Sequence, residues 1–145
     1  MSFYSRPTKM AVRILTHMAA DGMDQLLTVR SIARATQVPE PSAAKILQSL
    51  ARDGILESRK GPGGGFRIGR SLREILLVHV VRAVEGEDFL SECVGGFQEC
   101  TGRSECPLHA KWLCVKEQMV DFLGTTTLED MLHASQHGRQ ALNGA

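Results

Sequence analysis

Three cysteines and a histidine lie close together in one polar stretch of the chain. Cys93, Cys100, Cys106 and His109 follow the spacing C-x6-C-x5-C-x2-H, and glycine and polar residues fill much of the segment between them. Cysteine thiolates are the preferred ligands of iron–sulfur clusters, and an imidazole that replaces one of them raises the reduction potential. The spacing therefore indicates a loop that can wrap around such a cluster.

Three other interpretations of these thiols stay open. A disulfide pair suits a secreted protein, whereas no secretory signal opens this chain and we expect an intracellular protein. Structural zinc accepts three cysteines and a histidine, although its cysteines usually come in closer pairs. Thiols that bind no metal and are oxidised under stress are the third alternative. Cys114, inside a predicted helix, is instead predicted to be a small buried apolar residue.

The two halves of the chain differ in charge. Residues 1–73 include twelve Lys/Arg and five Asp/Glu, whereas residues 74–145 include five and eleven. This distribution of charge indicates that the basic half binds a polyanion and that the acidic half has another role. No apolar run approaches the length that spans a membrane, and we expect one compact cytoplasmic domain.

Apolar residues at helical spacing predict three short helices in the basic half. The first covers about residues 5–20. The second is capped at Thr28 and ends near Gln37. The third starts around Pro39, where a missing amide is tolerated, and closes at Gly54.

Two predicted strands follow, Ile55 to Arg59 and Phe66 to Ile68. Two short helices joined by a turn and followed by a β-hairpin indicate a winged helix-turn-helix, whose third helix would lie in the major groove of DNA. An ordinary solvated helix face is the alternative for each exposed residue on that helix. The candidates for DNA contact there are Ser42, Ala43, Lys45 and Gln48.

The predicted wing is the more specific feature, because three cations flank a turn that is nearly free of side chains. Glycine lets the backbone approach phosphate closely, and the cations supply attraction. A nucleotide-binding loop is the alternative, but its G-x-x-x-x-G-K-[ST] motif is absent. The candidate DNA-binding residues in the wing are Arg59, Lys60, Gly61, Pro62, Gly63 and Gly64.

The acidic half predicts three more helices. One runs from a cap at Ser71 to Val84, although its valines and isoleucine also favour a strand. A longer one runs from Pro107 to about Phe122, and a last short one is capped at Thr127 and precedes a polar tail. An apolar seam on the long helix suits either a partner helix or the protein's own core; it consists of Leu108, Trp112, Val115, Met119 and Phe122.

Together these motifs resemble the Rrf2 superfamily of bacterial regulators, of the IscR, NsrR and RirA type. The resemblance rests on residues 9–13, 29–33, 45–50, 61–66 and 80–86 and on the three cysteines. It implies a mainly α fold: a winged helix-turn-helix with a two-stranded β wing and a long C-terminal dimerisation helix. It also implies a homodimer that binds a double-stranded DNA operator and senses iron, redox or nitric oxide status through an iron–sulfur cluster.

The resemblance further implies that Cys93, Cys100 and Cys106 are the cluster thiolates. His109 stands where one branch has its fourth ligand, and Lys9 stands where another branch has a carboxylate ligand. A surface histidine that caps the next helix is the alternative for His109. A [2Fe–2S] cluster is favoured and a [4Fe–4S] cluster is the alternative. The first gap between cysteines is one residue longer than in the IscR pattern, so the cluster type does not carry over from IscR.

Two further expectations follow. Residues 1–73 would form the DNA-binding region, and residues 74–145 the cluster loop and dimerisation helices. Ala44 stands where IscR-like members have a glutamate that discriminates between operators, so operator preference does not carry over. The rival functions are a cluster-free thiol-switch repressor and a small iron–sulfur redox protein; for the latter no catalytic arrangement is legible, and we expect no enzyme.

Overall fold

The computed structural model describes residues 4–91, 93–95 and 106–143. Within these ranges the fold is mainly α, with a two-stranded antiparallel wing, as predicted. In chain order the elements are α1 (Arg6–Asp21), α2 (Val29–Thr36), α3 (Glu40–Arg52), β1 (Leu56–Arg59), β2 (Gly65–Ile68), α4 (Leu77–Glu85), α5 (His109–Thr125) and α6 (Leu128–Asn143). No helix in these ranges is both long enough and apolar enough to cross a membrane.

The core lies where α1 packs against α2, α3, α4 and α6. Ile14 and Leu15 of α1, Ile32 of α2 and Leu47 of α3 are fully buried in one cluster. Each such side chain contributes about 1.5–3 kcal/mol of transfer free energy. This core fixes the orientation of α3 relative to the rest of the molecule.

The predicted helix boundaries in the basic half are confirmed. The Ser5 and Thr28 side chains cap α1 and α2 by accepting hydrogen bonds from the amides of Thr8 (3.3 Å) and Ser31 (3.2 Å). The turn between α2 and α3 begins at Gln37, whose φ is +55°. Gly54, with φ +74°, follows the end of α3, as a glycine commonly does.

The helix predicted from Ser71 is wrong at its start, because α4 begins only at Leu77. The preceding residues pair instead with the segment between α5 and α6. The amide of Leu77 donates to the carbonyl of Thr126 (2.8 Å), and the amide of Leu128 donates to the carbonyl of Ile75 (2.8 Å). Ile75 is fully buried there. The burial and this backbone pairing outweigh the local capping preference of Ser71.

The last two helices also differ from the prediction. α5 starts two residues after Pro107 and continues to Thr125. α6 extends through the polar tail to Asn143 rather than ending after one or two turns. Thr127 and Asp130 cap its start reciprocally, with the two amides donating to the other residue's side-chain oxygen at 2.9 and 3.1 Å. The tail holds good helix formers, including alanine, glutamine and leucine.

Candidate functional site

The exposed face of α3 carries three of the four residues on this helix that were predicted to contact DNA. Lys45 and Gln48 are exposed, and Ser42 is half-buried. Ala43 is completely buried, so the prediction that it faces DNA is wrong. It lies three and four residues before Ile46 and Leu47 and therefore shares their core-facing stripe.

The wing is a regular hairpin in which Glu57 pairs with Arg67 and Arg59 pairs with Gly65. Its tip is a tight turn closed by a 3.0 Å hydrogen bond from the Gly64 amide to the Gly61 carbonyl. The two central residues are Pro62 and Gly63, the latter with φ +73°, as in a type II turn. Gly61, Pro62 and Gly63 are exposed and Gly64 is half-buried, so DNA can approach the backbone of the tip.

The three cations of the wing are not equivalent. Arg67 donates to Glu57 across the strands, with both its Nε and Nη2 lying 2.7 Å from Oε2. Arg59 and Lys60 are exposed and form no ion pair within the described part of the chain. Arg59 and Lys60 are thus the wing cations available to an external anion.

A cleft of about 540 Å³ separates α3 from the wing. Gln48 and Arg52 line it from the helix, and Arg59 and Lys60 line it from the wing. Among the described residues no acidic side chain lines this cleft. Arg52 was missed from the sequence, although its position four residues after Gln48 is the signal that both share one helix face.

The second strand of the wing is fastened to the helix-turn-helix. Leu27, just before α2, forms an isolated bridge with Phe66, through amide-to-carbonyl bonds of 2.9 and 2.8 Å. This bridge ties the wing to the segment that begins α2. The bridge therefore holds β2 beside the helix-turn-helix, and Arg59 and Lys60 face α3 across one cleft.

Part of the predicted cluster loop lies within the described residues. The half-buried Cys93 and Cys106 are free thiols. The Gly95 amide donates to the Cys93 sulfur (3.4 Å), and the His109 amide donates to the Cys106 carbonyl (3.0 Å), which places His109 on the first turn of α5. Cys100 lies outside the described residues. Among the residues described, no three Cys, His, Asp or Glu side chains gather closely enough to hold a metal ion.

Glu85, the last residue of α4, contacts the start of α1. Its Oε1 accepts hydrogen bonds from the Ser5 amide (2.9 Å) and from the hydroxyl of Thr8, which is fully buried. Burial raises the pKa of Glu85, but the hydrogen bonds from Thr8 and Ser5 together outweigh it and hold the pKa below its usual value. Glu85 therefore joins α1 to the point at which the chain leaves α4 toward Cys93.

The long helix α5 exposes most of its apolar side chains. Only Leu123 is buried, against Leu77 and Val81 of α4. Of the predicted seam, Leu108, Val115 and Phe122 are 51%, 45% and 46% exposed, so these three residues do not belong to the protein's own core, whereas Trp112 and Met119 are half-buried. Cys114 is exposed as well, which contradicts the prediction of a buried apolar residue.

Comparison with known proteins assigns these features to one family. The sequence profile of the Rrf2 family, described as "Iron-dependent Transcriptional regulator", matches residues 4–134. The chain belongs to the Rrf2 family. Members of the Rrf2 family are transcriptional regulators that bind DNA through a helix-turn-helix, and they are not enzymes.

Individual Rrf2 relatives match over most of their length. The chain is 34% identical to the protein aau3 of Rhizobium meliloti over 131 residues, which cover 90% of this chain and 84% of the relative. It is 32% identical to the HTH-type transcriptional repressor NsrR of Streptomyces coelicolor over 129 residues, which cover 88% of this chain and 86% of NsrR. The structure of CymR, the global cysteine regulator of B. subtilis, superimposes with a TM-score of 0.76 at 22% identity and covers 92% of this chain and 98% of CymR.

Proposed function

We propose that this protein is a homodimeric operator-binding regulator whose affinity for DNA depends on an iron–sulfur cluster held by Cys93, Cys100, Cys106 and His109. The observation that carries the DNA-binding part is the cleft between α3 and the wing, because amide and cationic groups line it without an acidic residue among those described. We further infer that residues 1–73 read DNA, that residues 74–145 sense the signal, and that the protein acts in the cytoplasm, where its operator lies.

On DNA, α3 lies in the major groove and the wing lies against the neighbouring backbone. Ser42 and Gln48 are the side chains able to read base edges, since hydroxyl and amide groups match the donors and acceptors of the major groove. Lys45, Arg59 and Lys60 neutralise phosphates, and the glycine-rich tip from Gly61 to Gly64 lets the backbone come close.

Arg59→Ala and Lys60→Ala are expected to weaken binding to all DNA sequences alike. Each loses a phosphate contact, so the slope of log K against log salt becomes shallower by roughly one unit per contact. Fluorescence anisotropy with operator and unrelated duplexes at several salt concentrations measures this. Lys111→Ala, which removes an exposed cation from α5, is the matched control and keeps the parental slope. Parental slopes in both wing variants would refute the wing as an electrostatic anchor.

The donor set fits the proposed cluster chemically. Thiolates are the usual ligands of iron–sulfur clusters, and imidazole is an accepted substitute. The Gly95 amide already donates to the Cys93 sulfur, and such hydrogen bonds to sulfur are among the features that set cluster potentials. A bound cluster would supply a centre sensitive to iron, oxidants and nitric oxide, while the surrounding chain holds the ligands between α4 and α5.

His109 is expected to tune the potential of that centre rather than to be essential for the fold. His109→Cys should retain the cluster at a lower reduction potential, because three thiolates and one imidazole give a higher potential than four thiolates. His109→Ala should give a cluster that is lost faster under air. Anaerobic redox titration and the decay of visible absorbance measure both effects. If His109→Ala matches the parent protein in spectrum, potential and lifetime, the fourth ligand lies elsewhere.

The exposed apolar face of α5 supports the homodimer. A helix with Leu108, Val115 and Val120 in solvent is expected to pack against another helix. In a twofold dimer the two α3 helices would meet successive major grooves, about 34 Å apart along B-DNA. Small changes where α4 and α5 meet the cysteine loop would alter that distance, and the bond from Glu85 to α1 offers a path from the loop to the DNA-binding helices.

Glu85→Gln is expected to reduce the stability of the fold at neutral pH and to flatten its acid dependence. A carboxyl whose pKa is lower in the folded than in the unfolded state stabilises the fold above its unfolded pKa of about 4.3, and this contribution is lost as the pH falls through the folded pKa. The effect stays below about 1 kcal/mol because the carboxylate is largely exposed to solvent. Urea unfolding from pH 7 down to pH 3 measures it.

Glu87→Gln is the matched control for Glu85→Gln, since Glu87 is also exposed but forms only a surface ion pair with Arg82 at 3.4 Å. A difference between parent and Glu85→Gln that persists unchanged at pH 3 would contradict the assigned role of the Glu85 carboxylate.

A cluster-free thiol switch is the second candidate. Its support is the superposition on a global cysteine regulator together with the free thiols at Cys93, Cys106 and Cys114. Anaerobic purification discriminates the two: a cluster protein is brown and contains stoichiometric iron and sulfide, whereas a thiol switch is colourless and changes its DNA affinity with thiol oxidation alone.

A further inference from the structure

A second cavity, of about 460 Å³, lies between α3, the first turns of α1 and the end of α4. It shares no lining residue with the cleft between α3 and the wing. Its volume is within the range of about 300–1,000 Å³ typical of sites for small organic ligands. The cavity is therefore a separate feature that DNA binding by the wing does not explain.

The interior surface of the cavity is largely apolar. Met10 of α1, Ile46 of α3 and Val84 of α4 each contribute to its walls. All three belong to, or pack against, the main hydrophobic core, so the walls are held in place by the fold. Such a surface suits an aliphatic or aromatic ligand body rather than a hydrated inorganic ion.

The polar groups of the cavity are two cations and two hydroxyls. Arg6 and Lys45 supply the cations from α1 and α3, and Ser42 and Ser49 supply the hydroxyls from α3. Within the described part of the chain neither cation forms an ion pair, and neither hydroxyl forms a hydrogen bond. No acidic side chain is among the described residues that line the cavity. Four polar groups with unused donors thus surround one apolar space.

We propose that this cavity binds a small organic anion, with its carboxylate or phosphate between Arg6 and Lys45 and its apolar body against Met10 and Val84. Hydrogen bonds between ionised partners are stronger than neutral ones, and the apolar walls give the ligand body a surface against which to bury its own apolar area. Ser42 and Lys45 are also candidate DNA contacts, so the bound anion and the operator exclude each other. The site would make the regulator responsive to a metabolite independently of its cysteines.

Calorimetric titration of the full chain without DNA tests the binding. Octanoate and octyl phosphate, which share an apolar body and differ in head group, are expected to bind, and their relative affinities distinguish a carboxylate from a phosphate site. Octylammonium is expected to bind at least about tenfold more weakly, since its charge is repelled by both cations. The proposal is overturned if both anions fail to bind or if octylammonium binds as tightly as octanoate.

Variants locate the binding at this cavity. Arg6→Ala should weaken octanoate binding about fivefold or more, and Ser49→Phe, which fills the space, should abolish it. Arg34→Ala, which removes an exposed arginine from α2, is the matched control and should bind octanoate like the parent. Unchanged octanoate binding in Arg6→Ala would overturn the proposal. A shallower salt slope for operator binding in that variant would then identify Arg6 as a phosphate contact for DNA.

Competition completes the test. Saturating octanoate should weaken operator binding by the parent protein and leave Ser49→Phe unaffected. Simultaneous, independent binding of octanoate and operator would refute the mutual exclusion. Thermal unfolding of each variant verifies that it folds. If Ser49→Phe does not fold, Arg6→Ala still tests the proposal, because the Arg6 side chain is exposed.

Discussion

Cys93→Ala, Cys100→Ala and Cys106→Ala are each expected to abolish stable iron binding while the protein stays folded. Alanine offers no ligand in place of a thiolate, and thiolates are the groups that chiefly hold iron–sulfur clusters. Cys93 and Cys106, the proposed ligands within the described residues, belong to no core cluster, so the helices keep their packing. Iron and acid-labile sulfide per protomer, measured after anaerobic purification, together with circular dichroism, give both parts of the result.

Cys114→Ala is the matched control, because it removes a thiol from the exposed side of α5 without touching the proposed ligand set. It should contain as much iron as the parent. Loss of iron in this variant, or full iron content in any of the other three, would show that the ligands are assigned wrongly. Equal absence of iron in the parent and in all four variants would favour the thiol switch.

Most of the DNA-binding fold was predictable because its signals are local. Ser5 and Thr28 cap helices within three residues of themselves, and the Pro62–Gly63 turn of the wing follows from the backbone preferences of these two residues. Where the prediction failed, distant contacts decided. The helix α4 begins at Leu77 rather than at the predicted Ser71, because Ile75 pairs with Leu128, which is more than fifty residues away in the sequence.

The candidate site was less predictable than the fold, for the same reason. The sequence places Arg67 with Arg59 and Lys60 beside the turn of the wing, but only the strand register shows that Arg67 lies opposite Glu57 and pairs with it. Ala43 was predicted to be exposed but is buried. Neighbouring residues of a helix point in different directions, so an error of one position exchanges a core residue for one that faces the groove. The bond from Thr8 to Glu85 joins residues 77 positions apart, and no periodicity in the sequence reports such a contact.

Gly65→Ala is expected to damage the wing strongly. Gly65 has φ +149°, which an L-residue rarely adopts, and a Cβ there would lie 2.3 Å from the carbonyl oxygen of Leu27. The substitution therefore strains the backbone and also pushes β2 away from the segment to which Phe66 is bridged. We expect a loss of about 2–4 kcal/mol in the free energy of unfolding, measured by urea denaturation.

Substitutions at two other glycines distinguish backbone strain from the close contact with Leu27. Gly138→Ala in α6 meets open space in helical conformation and should stabilise the fold by about 0.5–1 kcal/mol. Gly63→Ala also meets open space, but at φ +73°, so it should cost only about 1 kcal/mol through backbone strain. If Gly65→Ala costs no more than Gly63→Ala, the close approach to Leu27 is not what fixes the wing. If it costs more but operator affinity stays parental, the bridge stabilises the fold without positioning Arg59 and Lys60 for DNA.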